Sequence, residues 1–168
     1  MRRTIAWITV VVTALLLQST VFAQIELAGA TPELMYLVTT VLAMLEGSSA
    51  GAIGGFTAGM AQDFMLNQPK GITALTLTLV GYVVGTVRQY VTTPSPLLPV
   101  LLVAASTAGG ILFYGFVSFL LGQLPEGIVY LLRIALLSAV YNAVLTPILY
   151  PVLRRVTEAS RPKKVYRW

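Results

Sequence analysis

The feature that most constrains the fold is a four-residue repeat of glycine inside an apolar stretch. Gly47, Gly51, Gly55 and Gly59 form this glycine ladder, and Asp63 continues its spacing. Residues four apart share one face of an α-helix. A face with so little side chain lets a second helix approach until the backbones touch, which is the small-xxx-small packing of membrane helices. The ladder therefore predicts a membrane helix buried against protein; a ligand or partner groove that ends at Asp63 is the alternative.

The composition excludes a soluble protein. Only 10% of the 168 residues are charged and 57% are hydrophobic, and the mean hydropathy is +0.82. Soluble domains carry about a quarter charged residues. We therefore expect an all-α integral membrane protein that folds as one helical bundle.

The chain contains neither cysteine nor histidine. The first absence excludes disulfides, thiolate metal sites and cysteine nucleophiles, and the second removes the commonest general base and metal ligand. The sequence also lacks a nucleophile elbow, a phosphate-binding loop and metal-ligand spacing. We therefore predict a protein that is not an enzyme, with no catalytic residue, metal or cofactor.

Six apolar segments predict six transmembrane helices in a single domain over residues 1–153. They cover residues 5–23, 32–46, 47–66, 72–90, 97–121 and 128–153. The first could also be a signal peptide, but its length favours a retained helix. Thr31 as N-cap and Pro32 at the first position mark the start of the second helix. At about 22 Å, that helix is shorter than the hydrocarbon core, so it is thin, tilted or part of a membrane-penetrating hairpin.

The distribution of basic residues predicts that both termini are cytoplasmic. Six spans place Arg2, Arg3, Arg88 and the basic tail of residues 154–168 on one side, and only Lys70 on the other. Basic residues concentrate on the cytoplasmic side of membrane proteins. Three acids then fall in outer loops, namely Glu26, Glu33 and Glu126. We expect the tail to lie on anionic lipid, and no aromatic-interleaved basic surface supports nucleic-acid binding.

Three polar side chains are predicted near the outer ends of their helices. They are Gln18 in the first helix, Asp63 in the third and Arg133 in the last. An unpaired charge inside a membrane is expensive. One hypothesis is therefore an ion pair between Asp63 and Arg133, with Gln18 nearby. The alternative is that Arg133 extends to the outer head groups while Asp63 is interfacial.

A second polar set is predicted deeper in the bundle. It consists of Tyr82 in the fourth helix with Ser138, Tyr141 and Asn142 in the last. Ser138 and Asn142 are four residues apart and share a face. Hydrogen bonds of such side chains join membrane helices, so interhelical contact is favoured here over a substrate site.

Small residues recur in two further helices. Gly81 and Gly85 form a second small-xxx-small pair in the fourth helix, and Gly109 lies in a small-residue patch of the fifth helix, residues 104–110. We predict that these glycines and the glycine ladder pack helices or dock a partner. The ladder and the patch are the two candidate docking surfaces.

Four segments together resemble the MreD family of bacterial rod shape-determining membrane proteins. They are Leu17–Thr20; the G-F-x-x-G-x-x-x-D segment that ends at Asp63; Gly71–Leu75 followed by Leu79–Gly85; and Tyr141–Asn142 followed by Pro147 and the basic Arg154–Arg155. Each piece is common in membrane helices by itself. Their order and spacing extend the resemblance over nearly the whole chain.

The resemblance implies a non-catalytic role in the complex that guides peptidoglycan synthesis during elongation. Family members lie in the bacterial cytoplasmic membrane, bind the single-span protein MreC, and work with MreB, RodA and a class B penicillin-binding protein. The family's fold is similar to the substrate-binding subunits of energy-coupling-factor vitamin transporters. The alternative is such a vitamin-binding subunit, with its ligand near Gln18, Asp63 and Arg133. A small autonomous transporter is a weaker alternative, and a membrane enzyme is the last.

Overall fold

The computed structural model is all-helical. It describes residues 2–21, 32–65, 71–91, 95–122 and 127–160, with side chains from residue 5 onward. The helices are α1 Arg2–Thr20, α2 Leu34–Glu46, α3 Ser48–Met65, α4 Ile72–Tyr90, α5 Leu98–Leu120 and α6 Ile128–Ser160. The all-α prediction is confirmed, and α4 has the predicted bounds.

Within the described ranges, helix length and composition identify three helices that can cross a membrane. These are α4, α5 and α6, whose most apolar windows have mean hydropathies of 1.2, 2.0 and 1.9. Residues 5–20 of α1 and all of α2 form shorter apolar helices. The glycine and polar residues of α3 lower its hydropathy, although its 18 residues would rise about 27 Å.

The short helix α2 lies at the centre of the bundle. All ten residues from Leu34 to Ala43 are buried, and α2 packs against each of the other five helices. Its 13 residues rise about 20 Å. A helix at the surface of a bundle needs only one apolar face. The apolar run of α2 is buried on every side because the other helices surround it.

The start of α2 differs from the prediction. The helix begins at Leu34, with Glu33 as a non-helical N-cap residue whose side chain makes no capping hydrogen bond. Thr31, the predicted cap, lies outside the described residues. The backbone N–H of Met35 instead donates to Oε1 of Gln18 at 3.3 Å. A side chain of α1 therefore satisfies one of the free donors at the start of α2.

Gly47 forms the reversal between α2 and α3, and its backbone lies against α4, since a Cβ added at Gly85 would lie 2.7 Å from the Gly47 carbonyl carbon. Its φ of +94° lies in the left-handed region, which residues with a Cβ rarely adopt. Its N–H donates to the carbonyl oxygen of Ala43 at 2.9 Å, and α3 begins at the next residue. The third helix therefore starts one residue after Gly47, its approximate predicted start.

The remaining three glycines of the ladder are buried against α4. A Cβ added at Gly51 would lie 2.6 Å from the carbonyl oxygen of Gly81. A Cβ at Gly55 would collide with the Leu77 carbonyl group, and one at Gly59 with the backbone of Ala74. The two backbones are therefore in direct contact, as expected of small-xxx-small packing.

The glycines of α4 complete this interface from the other side. A Cβ at Gly81 would collide with the backbone of Gly51, and one at Gly85 with the backbone of Ser48. The ladder is thus covered by a helix of the same chain, so it is not a surface for a partner.

In α5 the closely packed glycine is Gly110 and not Gly109. A Cβ at Gly110 would collide with the ring of Tyr36, whereas a Cβ at Gly109 would meet no atom within 4 Å. Adjacent helical residues point about 100° apart. Gly109 therefore does not pack against another helix in the described structure, because this position faces away from the bundle; its alternative role in docking a partner stays a prediction.

The last helix extends further than predicted. It continues through Pro147 and Pro151 to Ser160, and Nε of Arg154 lies 2.7 Å from Oε1 of Glu158, one turn later. Residues 154–160, predicted as part of a tail, are thus helical. Residues 161–168 lie outside the described residues.

Candidate functional site

The polar side chains of the bundle meet at the start of α2, around Glu33. One oxygen of its carboxylate, Oε2, accepts a hydrogen bond from Nε2 of Gln18 at 3.0 Å and a longer one from Nε2 of Gln62 at 3.5 Å. Gln18 belongs to α1 and Gln62 to α3. Glu33 lies in the connection before α2, as predicted, but its half-buried side chain turns in between helices, where amide donors stabilise its charge.

The orientation of both glutamine amides follows from the carboxylate. An ionised carboxylate accepts hydrogen bonds and donates none, so each amide must direct its NH₂ group toward Glu33. The Oε1 atom of Gln18 then accepts from the Met35 N–H. The Oε1 atom of Gln62 is buried and has no hydrogen-bond partner among the described residues. This unmatched acceptor is unusual, since the large majority of buried polar atoms are paired.

The backbone carbonyl of Glu33 ties α2 to the last two helices. Nδ2 of Asn142 donates to this oxygen and to Oγ1 of Thr107, both at 2.9 Å. Asn142 is fully buried. About two turns along α2 from Glu33, Thr40 and Ser106 share a hydrogen bond of 2.6 Å. Asn142 therefore joins α2, α5 and α6, which is the contact role that the sequence favoured.

The other residues of the predicted deeper set lie elsewhere. Ser138 is buried on the same face of α6 as Asn142, and Tyr141 is half-buried. Tyr82 is 55% exposed, so its prediction as a buried polar residue was wrong. It lies next to Gly81 in α4, and the small face of that helix turns toward α3 while Tyr82 turns away.

Asp63 is fully buried and supports the start of α4. Its Oδ2 accepts hydrogen bonds from the backbone N–H groups of Gly71 at 2.8 Å and Ala74 at 3.2 Å. These are free donors at a helix N-terminus, where the helix dipole also favours a negative charge. The carboxylate thus caps a neighbouring helix.

The predicted ion pair of Asp63 with Arg133 is wrong. Arg133 lies on the exposed face of α6, and the ion pairs within the described residues do not include one between these two side chains. Asp63 gains its stabilisation from the N-terminus of α4, so its burial does not require Arg133. Gln18 contacts Glu33 and not the predicted pair.

A cavity of about 190 Å³ adjoins this polar junction. We call it the Glu33 cavity; it lies where α2 and α4 begin and is lined by Glu33, Tyr36, Gln62, Thr73, Ile111, Tyr114, Leu131 and Ile134. Sequence analysis did not select Glu33, Tyr36 or Tyr114 as site residues. The available signal was an acid directly before an unbroken apolar run, which is also what an exposed helix cap looks like.

A larger open space separates α1 from α3. This α1–α3 groove has a volume of about 720 Å³. Its α1 wall consists of Trp7, Ile8, Val11 and Val12, and its α3 wall includes Ala50, Gly54, Thr57 and Ala61. The spacing of the α3 residues is that of one helical face. The groove is therefore apolar along α1 and lined mainly by small residues along α3, where Ile53 is large, and Leu42 and Glu46 of α2 also line it.

The described residues contain no group of three or more histidine, cysteine, aspartate or glutamate side chains that could hold a metal ion. Glu33 and Asp63 are tied to separate partners, amide groups in one case and a helix N-terminus in the other. The polar junction around Glu33 and Asp63 can bind polar groups. Its side chains present hydrogen-bond acceptors rather than positively charged donors.

Comparison with known proteins identifies the family. A family model described as rod shape-determining protein MreD matches residues 1–156. Comparison with curated proteins and with solved structures finds no match. The family match covers all six helices except the last turn of α6 and confirms the resemblance seen in the sequence. The chain therefore belongs to the MreD family of rod shape-determining membrane proteins.

Proposed function

We propose that this protein is a non-catalytic scaffold of the bacterial cell-wall elongation complex. Membership of the MreD family supports a role in determining rod shape. In this proposal the chain binds an MreC-like single-span partner and, through a larger complex, MreB, RodA and a class B penicillin-binding protein. The protein would be a multi-pass component of the cytoplasmic membrane with six spans, both termini inside and the basic tail on anionic lipid. In this proposal the fold of the protein is similar to that of the vitamin-binding subunits of energy-coupling-factor transporters.

The α1–α3 groove supports the docking of a transmembrane helix. On α3, Ala50, Gly54, Thr57 and Ala61 provide a wall of small side chains about 16 Å long, which Ile53 interrupts, and α1 provides an apolar wall. Large apolar side chains of a partner helix could fill this space, and small residues on one side allow the close approach on which membrane helix packing depends. The proposed partner segment is therefore a single, mainly apolar helix, which would also meet the carboxyl group of Glu46.

Two other surfaces support docking less well. The glycine ladder is covered by α4, as its contacts with Gly81 and Leu77 indicate. The small-residue patch of α5 leaves Ala105 and Gly109 exposed, but it lies on a single helix. A groove with two walls buries more of a partner helix than one convex face does, and packing is the main source of helix association in lipid.

A matched pair of substitutions tests this proposal. Thr57→Trp would place a large ring in the α1–α3 groove at an exposed position, and Ala105→Trp would do the same on the α5 patch. The chain is purified in mild detergent from native membranes together with its MreC-like partner. We expect Thr57→Trp to lose the partner and Ala105→Trp to retain it. Retention by Thr57→Trp with loss by Ala105→Trp would move the docking surface to α5.

The Glu33 cavity favours a second candidate, the vitamin-binding subunit of an energy-coupling-factor transporter. The cavity has polar groups from several helices, as a binding pocket requires. Its volume of about 190 Å³ is below the roughly 300–1,000 Å³ of most ligand pockets, and Arg133 lies outside it. Co-purification of a coupling protein and two ATPases, without cell-wall proteins, would favour this candidate over the scaffold.

A further inference from the structure

We propose that the Glu33 cavity binds a primary ammonium group, with the Glu33 carboxylate and Oε1 of Gln62 as its acceptors. The ammonium could belong to a soluble amine or to the ethanolamine head group of a lipid. The inference does not depend on the scaffold function, because it rests on the cavity alone.

An unmatched polar group in the cavity wall points to a ligand. Gln62 is 97% buried, since its relative exposure is 3%, and its Oε1 has no partner among the described residues. Tyr36 is 4% exposed, but its hydroxyl oxygen is not among the buried atoms without a partner, so the unmatched group is Oε1 of Gln62. Both residues line the cavity. Buried polar atoms without partners are rare unless water, an ion or a ligand satisfies them.

The chemistry of the cavity favours a cation that donates hydrogen bonds. Glu33 contributes a carboxylate, and Gln62 is fixed with its NH₂ group toward that carboxylate at 3.5 Å. The free amide oxygen can therefore only accept. None of the described residues that line the cavity is basic, so nothing there would balance a bound anion. An ammonium group has three donors and no acceptor, which matches this wall.

The aromatic and apolar residues limit the size of the ligand. Tyr36 and Tyr114 can contact a cation through their ring faces, and Ile111, Leu131 and Ile134 form an apolar side. Gly110 makes room for the Tyr36 ring, since a Cβ there would collide with it. A cavity of 190 Å³ corresponds to about six water molecules at liquid density. It can hold an ethanolamine group but not a large amine.

The test uses the full chain in an amine-free phosphate buffer. Thermal unfolding and native mass spectrometry are followed against ethanolamine, with ethylene glycol as the neutral probe and choline as the quaternary one. We expect saturable stabilisation by ethanolamine, little by ethylene glycol, and weaker binding of choline because it has no N–H donor. Glu33→Gln should weaken ethanolamine binding about tenfold to a hundredfold, and the exposed Glu158→Gln should leave it unchanged.

Gln62→Met keeps the proposal testable if Glu33→Gln does not fold. It removes the unmatched acceptor Oε1 and should weaken ethanolamine binding about twofold to tenfold. Nanodiscs of phosphatidylethanolamine and phosphatidylcholine then separate the two sources. Preferential stabilisation by the ethanolamine lipid assigns a lipid head group, and stabilisation by soluble ethanolamine alone assigns a soluble amine. No saturable effect of either, or equal effects on wild type and both variants, would overturn the proposal.

Discussion

The α3–α4 interface and the polar junction at the start of α2 hold the bundle together by different means. At the first, glycine faces bring two backbones into contact, and an added Cβ at Gly55 or Gly81 has no space. At the second, single side chains from four helices converge on Glu33 and Asn142, and a cavity remains beside them. The closed interface has no surface left for a ligand, whereas the junction combines structural hydrogen bonds with unmatched acceptors.

The largest effect is expected from Gly55→Leu. The new side chain would collide with the Leu77 carbonyl group, which is backbone and cannot rotate away. We expect destabilisation at or above the upper end of the about 1–3 kcal/mol typical of overpacking, seen as a large drop in thermal unfolding temperature and in monodisperse yield.

Gly109→Leu is the matched control for this substitution. The added side chain meets no atom within 4 Å at its Cβ, so the unfolding temperature should stay near that of wild type. An equal drop in unfolding temperature for Gly55→Leu and Gly109→Leu would contradict the claim that Gly55 is covered by a helix and Gly109 is not.

A smaller effect is expected from Asn142→Leu. It removes the two hydrogen bonds to the Glu33 carbonyl and Thr107 and leaves these groups unpaired. Interhelical hydrogen bonds in membranes are worth about 0.6–2 kcal/mol each, so we expect a loss of about 1–3 kcal/mol in the free energy of unfolding. Tyr82→Phe, at an exposed tyrosine, serves as the control and should change stability little.

Removing the cap of α4 should have the smallest of these effects. Asp63→Ala deletes the acceptor of the Gly71 and Ala74 N–H groups, and loss of such caps costs about 0.5–2 kcal/mol. Asp63→Asn keeps an acceptor and should be milder. Thermal unfolding of both variants shows whether Asp63→Ala loses more stability than Asp63→Asn.

The double variant Asp63→Arg with Arg133→Asp decides between a cap and an ion pair. An ion pair predicts that the swap restores the stability lost in the single variants. The observed geometry predicts no restoration, since Arg133 lies on the exposed face of α6. Restoration to the wild-type unfolding temperature would contradict the capping role.

The two regions also differ in how far the sequence predicts them. The α3–α4 interface was predictable because Gly51, Gly55 and Gly59 repeat at the helical period, and a period defines a face without knowledge of the partner. The choice of Gly109 over Gly110 failed because α5 is apolar on all sides, so its sequence does not indicate which face turns inward. The predicted start of the third helix at Gly47 was one residue early. A glycine with a left-handed backbone can stand at the beginning of one helical pattern or at the end of another, and the sequence does not distinguish the two.

The polar junction was not predictable to the same extent. Glu33 follows a proline and precedes an apolar run, which is typical of a solvent-exposed helix start. Its burial depends on Gln18 and Gln62, which come from helices distant in sequence. Asp63 and Arg133 were paired because both were charges at similar expected depth, but backbone N–H groups at a helix start can replace a cation. Backbone donors of this kind are overlooked when only side chains are compared.

The most direct test of the scaffold role is site-specific photo-crosslinking in living cells. A photoreactive residue is introduced at Thr57 in the α1–α3 groove, at Ala105 on α5 and, as a control outside the groove, at the exposed Tyr82 of α4. The account predicts a crosslink from Thr57 to a single-span, MreC-like protein and none to that protein from the other two sites. Crosslinks to that protein from Ala105 alone, or to no partner from Thr57, would contradict the proposal that the groove between α1 and α3 is the docking surface.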